Sequence, residues 1–131
     1  MDEVTIDQVF DHVLKNSKQI SEDFFNELFE RCPSIQFKFE RLSREDMFRK
    51  AILMIKEGDK PTMVEIGKAH GHIKGLTRKD FCYFSTCLFN VLITHCYSML
   101  SKSVIKDLNT SVDKAIYCVQ EGFHVAKALK V

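Results

Sequence analysis

Length, composition and charge together describe one folded domain. With 131 residues, of which 45% are hydrophobic and 28% are charged, the chain has room for a single core over residues 1–131, and disordered, collagen-like and disulfide-dense classes are excluded. A formal net charge of +1 gives no broad attraction to nucleic acid or to an anionic membrane, so we expect neither as a partner. Two prolines and five glycines leave little material for turns, which favours helices.

Helix starts are marked by a Ser or Thr followed three residues later by an acid or amide, a pair of side chains that satisfies free backbone N–H groups. In chain order these pairs are Thr5 with Gln8, Ser43 with Asp46, Thr62 with Glu65, Thr77 with Asp80, and Thr110 with Asp113. With the apolar periodicity, they predict helices near 5–16, 20–31, 44–57, 62–72, 78–100 and 111–129, and a short helical turn at 33–38. Breaks are expected at Pro33, 58–61 and 75–77. The sequence therefore predicts an all-α fold of six to seven helices.

The segment 81–101 contains no Asp, Glu, Lys or Arg and is long enough to span a membrane. Polar residues argue against that interpretation, because Ser85, Asn90, Thr94 and Ser98 form one stripe that would be costly in hydrocarbon. We expect instead a central helix that is buried on most of its circumference.

The chain start and the cysteines indicate the cytoplasm. Residues 1–7 are acidic and lack the basic-then-apolar order of a secretory signal. The five cysteines are an odd number without a CxxC pair, which favours reduced thiols over disulfides; they are Cys32, Cys82, Cys87, Cys96 and Cys118.

No short motif points to ordinary enzyme chemistry. The sequence lacks GxSxG, HExxH, a glycine-rich phosphate loop and a spaced Cys/His zinc set. We therefore expect no hydrolase, metalloprotease or nucleotide chemistry and assign no catalytic residue.

The order of residues from about 10 to 123 resembles the globin family. Residues 24–39, FFNELFERCPSIQFKF, are similar to the second globin helix, the proline that opens the third, and a phenylalanine, here Phe39, that packs against the haem plane. Residues 63–70, MVEIGKAH, resemble the helix that carries the proximal histidine, and NTSV at 109–112 resembles the start of the last helix. The resemblance implies a globin-like helical sandwich that binds haem b, with His70 as the iron ligand.

The same resemblance implies a set of residues around the porphyrin. Leu76, Phe81 and Phe84 would line it, and Phe123 would close the pocket. On physical grounds, one or two of the cations near His70 would reach the propionates, with a solvated charge at a helix end as the alternative for each; the set is Lys68, Lys74, Arg78 and Lys79. His72 is the fallback ligand if the proximal helix is rotated. We expect the second ring nitrogen of His70 to bond to a backbone carbonyl near a helix end.

On the distal side the resemblance implies an apolar pocket. Phe48 stands where most oxygen carriers have His or Gln, with Ile52 one turn later and Phe25 facing both. Without a hydrogen-bond donor, oxygen would be held less firmly, and the ferrous iron would be five-coordinate. A shift of one residue would place Met47 there instead, and a thioether can ligate iron.

Two functions are open at this point. The first is a haem globin that reversibly binds a diatomic gas (O2, CO or NO) for storage, transport or sensing, with nitric oxide or peroxide chemistry as the enzymatic side activity that the family implies. A homodimer and a reductase that keeps iron ferrous are the further partners left open. Phe39 and His70 are closer along the chain than in most globins, so the alternative is a cofactor-free globin-like or helical-bundle module that acts through protein–protein interaction.

Overall fold

A computed structural model describes residues 4–39, 43–73 and 75–129, with side chains for all of these except residues 37–39. Six α-helices follow one another along the chain: α1 (Ile6–Lys15), α2 (Ser17–Arg31), α3 (Arg44–Glu57), α4 (Lys60–Ala69), α5 (Arg78–Cys96) and α6 (Lys102–Ala128). Short 3₁₀ segments follow α2, α4 and α5, at Pro33–Phe39, His70–His72 and Tyr97–Met99. No strand occurs within these described ranges, and the predicted all-α fold of six to seven helices is confirmed.

Three of the five predicted helix starts are confirmed by their caps. At the start of α1, the hydroxyl of Thr5 accepts the N–H of Gln8 at 3.3 Å, and Oε1 of Gln8 accepts the N–H of Thr5 at 2.8 Å. Such reciprocal bonds satisfy two backbone donors that a helix start leaves free. Thr77 and Asp80 form such a pair before α5, and before α3 the hydroxyl of Ser43 accepts the N–H of Asp46.

The predicted start of α4 at Thr62 is wrong by two residues. Asp59 is the residue that precedes the helix, and Pro61 lies in the first turn, where its fixed φ and missing N–H suit a helix. The hydroxyl of Thr62 donates a hydrogen bond back to the Asp59 carboxylate. Thr62 therefore belongs to the first turn of the helix.

The predicted start of the last helix at 111 is also wrong, because α6 begins at Lys102. The hydroxyl of Ser101 accepts the N–H of Val104 at 3.2 Å and caps the helix. Buried Val104, Leu108 and Val112 then continue one apolar face through residue 110 without a Gly or Pro between them. Thr110 lies within this helix, so its spacing to Asp113 matches a capping signal by chance.

The apolar helix α5 ends at Cys96, a few residues before the predicted end at 100, and continues as a 3₁₀ turn. It packs against α2 and α6 through a side that includes Phe81, Leu88 and Leu92, all buried. Among the described helices, none is both long and apolar enough to cross a membrane.

The closest contact between helices is the crossing of α4 and α6, where two glycines meet the opposite backbone. A Cβ atom on Gly67 would lie 1.9 Å from the carbonyl oxygen of Val119, and one on Gly122 would lie 1.9 Å from that of Val64. No larger residue fits at either position without moving a helix, because real Cβ atoms do not approach an oxygen so closely. The crossing therefore fixes α4 against α6 just before His70.

Phenylalanines fill the core between α2, α3 and α5. The ring of Phe24 lies 4.9 Å from that of Phe25, 5.5 Å from that of Phe48 and 5.0 Å from that of Phe84, measured between centroids. The contacts to Phe25 and Phe84 are edge-to-face, the arrangement that the charge distribution of aromatic rings favours. This cluster packs one side of α3 and leaves the other side free to line a cavity.

Candidate functional site

A mostly apolar cavity of about 300 Å³ lies between α3, α4, α5 and α6. Its volume is at the lower end of the range of small-molecule sites, roughly 300–1,000 Å³. Ile66 and His70 line it from the α4 side, and Ile116 and Val119 line it from α6.

His70 is the residue of this wall that carries chemistry. It follows the last residue of α4, and its Nδ1 lies 2.7 Å from the carbonyl oxygen of Ile66, one helical turn earlier. Because a carbonyl only accepts, Nδ1 donates this hydrogen bond, and in the neutral form of the ring the lone pair is then on Nε2. No described residue forms a hydrogen bond with Nε2, so this nitrogen is available as a ligand.

The hydrogen bond to Ile66 is of the type that sequence reasoning expected for His70. A backbone acceptor fixes the tautomer and the orientation of an imidazole ring and increases its strength as a ligand. The helix α4 is itself held by the glycine crossing three residues earlier, at Gly67. A backbone hydrogen bond and a helix held by backbone contacts therefore help to position this imidazole.

The opposite wall is one face of α3. Met47, Lys50, Ala51 and Met54 recur at three- and four-residue steps and all line the cavity. Lys50 is the polar member, but its Nζ lies 3.0 Å from Oδ2 of Asp46, and its side chain is 75% exposed. The Lys50 ammonium is therefore at the rim, and this wall is otherwise apolar and rich in thioether sulfur.

Three of the residues predicted around the porphyrin lie together with His70. Leu76, Phe81 and Phe84 all line the cavity, from α5 and the segment before it. Asp80 lies beside them, and both of its carboxylate oxygens are engaged: Oδ2 accepts the N–H of Thr77 at 2.9 Å and Oδ1 accepts the thiol of Cys32 at 3.4 Å. We assign Asp80 to helix capping.

Four other predicted residues do not line the cavity. Phe25, Phe48, Ile52 and Phe123 are at most 2% exposed and belong to the core. Phe123 lies behind the cavity wall, with its ring 5.1 Å from that of Phe81. The side chain of Phe39, also predicted to contact haem, lies outside the described residues.

The register of α3 explains why Phe48 is in the core. Successive helical residues are rotated by about 100° around the axis, so Met47 and Phe48 cannot face the same side. Phe48 packs on Phe24, and Met47 faces the cavity. Of the two residues that the sequence left open, Met47 therefore lines the cavity and Phe48 does not.

Three of the four cations predicted to reach propionates do not line the cavity. Lys68 pairs with Glu65 at 3.2 Å, and Nη2 of Arg78 lies 3.0 Å from Nε2 of His124. Lys79 is exposed and does not line the cavity, and Lys74 lies outside the described residues. The rim cation is Lys50, which sequence reasoning missed although it is three residues from Met47.

His72, the fallback ligand, is exposed and does not line the cavity. Within the described part of the chain, no group of three His, Cys, Asp or Glu side chains could hold a bare metal ion. An iron that is already held by a porphyrin needs only one axial ligand from the protein, and His70 fits that need.

The cysteines do not contribute a reactive group to the cavity. All five are free thiols, and only Cys82 is exposed. Burial raises the pKa of Cys87 and that of Cys96 to about 11, so both remain protonated at neutral pH.

No protein-family model matches the chain, and no curated protein matches it in sequence. Function is therefore argued from the geometry of the cavity.

Proposed function

We propose that the chain is a cytoplasmic haem globin that reversibly binds a diatomic gas at an iron ligated by His70. One observation carries the proposal: the imidazole lines a mostly apolar cavity while its Nδ1 donates to the Ile66 carbonyl at 2.7 Å, so that Nε2 is the ring nitrogen left for a ligand. A haem site requires this combination of an oriented imidazole and an apolar slot.

The order of the elements supports the proposal. The chain passes through α1 and α2, a 3₁₀ segment that begins at Pro33, and α3, which forms one wall of the cavity. It continues through α4, with His70 directly after its last residue, and through the two long helices α5 and α6. This is the order that the resemblance to globins implies, with a shortened region between Phe39 and His70.

Each wall has a role in this function. Ferrous haem, once bound, supplies the position at which a gas molecule is taken up. Nε2 of His70 would ligate the iron, and Leu76, Phe81 and Phe84 would exclude water from the porphyrin faces. Lys50, whose ammonium is at the rim, is the cation suited to a propionate.

The size of the cavity sets a condition on the proposal. About 300 Å³ must widen to admit a porphyrin. Met47 and Met54 make widening easier, because unbranched thioether side chains change conformation at little cost in packing energy.

Haemin titration tests the proposal. We expect the purified protein to take up one equivalent of haemin and to show a Soret band that shifts when CO is added to the reduced form. His70→Ala should abolish the band or make it depend on added imidazole. His72→Ala is the matched control, since this exposed histidine is two residues away, and it should behave as the unaltered protein.

A cofactor-free interaction module is the second candidate, and the limited volume of the cavity favours it. A colourless protein that ignores haemin, with His70→Ala indistinguishable from it, would decide for that module and against the haem globin.

A further inference from the structure

We infer that the cavity binds a neutral bicyclic aromatic molecule that donates one hydrogen bond, from a hydroxyl or a ring N–H, to Nε2 of His70. Naphthols and indoles have this chemistry. Such a ligand needs no iron and no widening of the cavity, so this binding site goes beyond the proposed haem function.

The volume of the cavity sets the size of the ligand. An apolar cavity of about 150 Å³ takes up benzene, and the cavity beside His70 has about 300 Å³. Two fused aromatic rings are somewhat less than twice the size of benzene, so they match the volume that is present. Lys50 lines the cavity and its side chain is 75% exposed, so a ligand can enter from solvent beside α3.

The lining favours an aromatic ligand over an aliphatic one. Phe81 and Phe84 contribute rings from α5, and Met47 and Met54 contribute thioethers from α3. Aromatic rings gain free energy from contacts with other rings and with sulfur, in addition to the free energy of burying apolar surface. An alkyl chain of the same size gains only the second of these.

The polar side chains of the lining determine which functional group the ligand carries. The Lys50 ammonium pairs with Asp46 at the rim, and both carboxylate oxygens of Asp80 accept a hydrogen bond from the chain. His70 donates through Nδ1 to the Ile66 carbonyl, so the lone pair of the neutral ring, on Nε2, is the acceptor left for a ligand. An unpaired acceptor in an apolar cavity selects a molecule that donates to it.

The same side chains disfavour a charged ligand. Asp80 is 8% exposed and its carboxylate lines the cavity, so it repels an anion. The Lys50 ammonium lies in water at the rim and does not offset the burial of that anion. A cation would leave water for a mostly apolar space in which the facing carboxylate already accepts two hydrogen bonds. A neutral ligand avoids both costs.

The test uses 2-naphthol as the probe, with naphthalene as the matched molecule without a donor and 2-naphthoate as the charged one. The chain contains no tryptophan, so the fluorescence of the naphthalene ring reports binding to the full chain without haem. We expect 2-naphthol to bind about tenfold more tightly than naphthalene, since naphthalene leaves Nε2 unpaired. 2-Naphthoate should bind at least about tenfold more weakly than 2-naphthol.

His70→Phe tests which residue accepts the hydrogen bond. The variant keeps a ring and removes the acceptor, and the Ile66 carbonyl still has the backbone N–H of residue 70 as a donor. The preference for 2-naphthol over naphthalene should fall about tenfold. Continued binding of naphthalene shows that the cavity remains folded. His72→Phe, at an exposed residue, is the matched control and should keep the preference.

Nuclear magnetic resonance measures the hydrogen bond without any variant. The ¹⁵N resonance of Nε2 responds to a donated hydrogen bond, so we expect 2-naphthol to shift it several-fold more than naphthalene does. An equal shift with the two molecules contradicts the inference, and a misfolded His70→Phe therefore does not protect it.

Other results would also overturn the inference. Naphthalene that binds as tightly as 2-naphthol shows that no hydrogen bond selects the ligand. Tight binding of 2-naphthoate that is lost in Lys50→Gln assigns recognition to the rim cation. Loss of the preference in Asp80→Asn but not in His70→Phe assigns the acceptor to Asp80.

Haemin uptake is measured separately, so the two proposals fail separately. Uptake of haemin without binding of 2-naphthol removes this inference and leaves the haem function. Binding of 2-naphthol with the expected preference, without uptake of haemin, supports this inference and removes the haem function.

Discussion

The two walls of the cavity are built in opposite ways. On the α4 side, backbone meets backbone at Gly67 and Gly122, and a carbonyl holds the His70 ring. On the α3 side, the cavity is lined by two flexible methionines and by a lysine that points to the rim. The α4 wall is held by backbone contacts and by a hydrogen bond to the His70 ring, and the α3 wall is lined by side chains that can change conformation.

This difference shows how a short helix can serve two purposes. The inner face of α3, with Phe48, Ile52 and Ile55, is at most 3% exposed and anchors the helix. Its cavity face has no such packing. Rigidity therefore comes from one face of α3 and adaptability from the other, and substitutions on the two faces should differ sharply in effect.

The largest effect is expected for Phe48→Ala. Removing a fully buried ring that packs on Phe24 should lower the free energy of unfolding by about 4 kcal/mol. Met47→Ala, one residue away but half-buried beside an existing cavity, should lower it by only about 1 kcal/mol. Urea unfolding of the three apoproteins measures both values, and equal losses would show that the two faces of α3 are packed alike.

The next effect is expected at the crossing of α4 and α6. Gly122→Ala puts a methyl group 1.9 Å from the Val64 carbonyl oxygen and forces the helices apart, so we expect a loss of about 3 kcal/mol in urea unfolding. Haemin uptake should weaken as well, because the displaced helix carries His70.

Gly58→Asn is the matched control for that substitution. Gly58 has a φ of +66°, and a Cβ there would meet no atom nearer than Lys114 Nζ at 4.0 Å. Asparagine tolerates this left-handed backbone, so the loss should stay within about 1 kcal/mol. If Gly122→Ala is as mild as this control, the rigid wall is not held by the crossing.

A smaller effect is expected at the start of α6, which supports the rigid wall. Ser101→Ala removes the hydroxyl that accepts the Val104 N–H and should lower stability by about 1 kcal/mol. Thr110→Ala, within the helix, should have almost no effect on thermal unfolding. If Thr110→Ala lowers stability more than Ser101→Ala does, the helix starts at the position that the sequence pattern indicated.

The sequence predicts the helices correctly where a local capping pair agrees with the helical spacing of the apolar residues. Thr5, Ser43 and Thr77 each precede a helix because capping is a local interaction between residues three apart. Thr62 and Thr110 have the same spacing, yet Asp59 and Ser101 start those helices. A capping pair alone does not distinguish the start of a helix from a position inside one.

The site was readable in part for a similar reason. His70 was singled out by its resemblance to a motif, and a backbone carbonyl near a helix end was the expected type of acceptor, but the sequence did not identify Ile66 as that acceptor. The choice between Met47 and Phe48 does not follow from the sequence either, because α3 has two apolar faces and a periodicity of 3.6 identifies faces without saying which one meets the core. Tertiary packing on Phe24 decides that question.

A last effect concerns α5, which packs against α2 and α6. Burial raises the pKa of the Cys87 and Cys96 thiols from 9.0 to about 11, and the nearby Glu27 carboxylate adds to the shift at Cys87. A raised pKa in the folded state means that the unfolded chain releases these protons first, so this contribution to stability is complete below pH 9 and is lost as the pH rises toward 11.

Urea midpoints measured across that interval should fall. In the Cys87→Ala/Cys96→Ala variant they should fall less steeply, whereas an equal slope would assign the alkaline loss to lysines and tyrosines. Phe81 and Phe84 line the cavity from the first turns of α5, and the two thiols lie farther along the helix. The same titration therefore separates loss of the core from loss of the site. We expect haem to remain bound through His70 until the core itself opens.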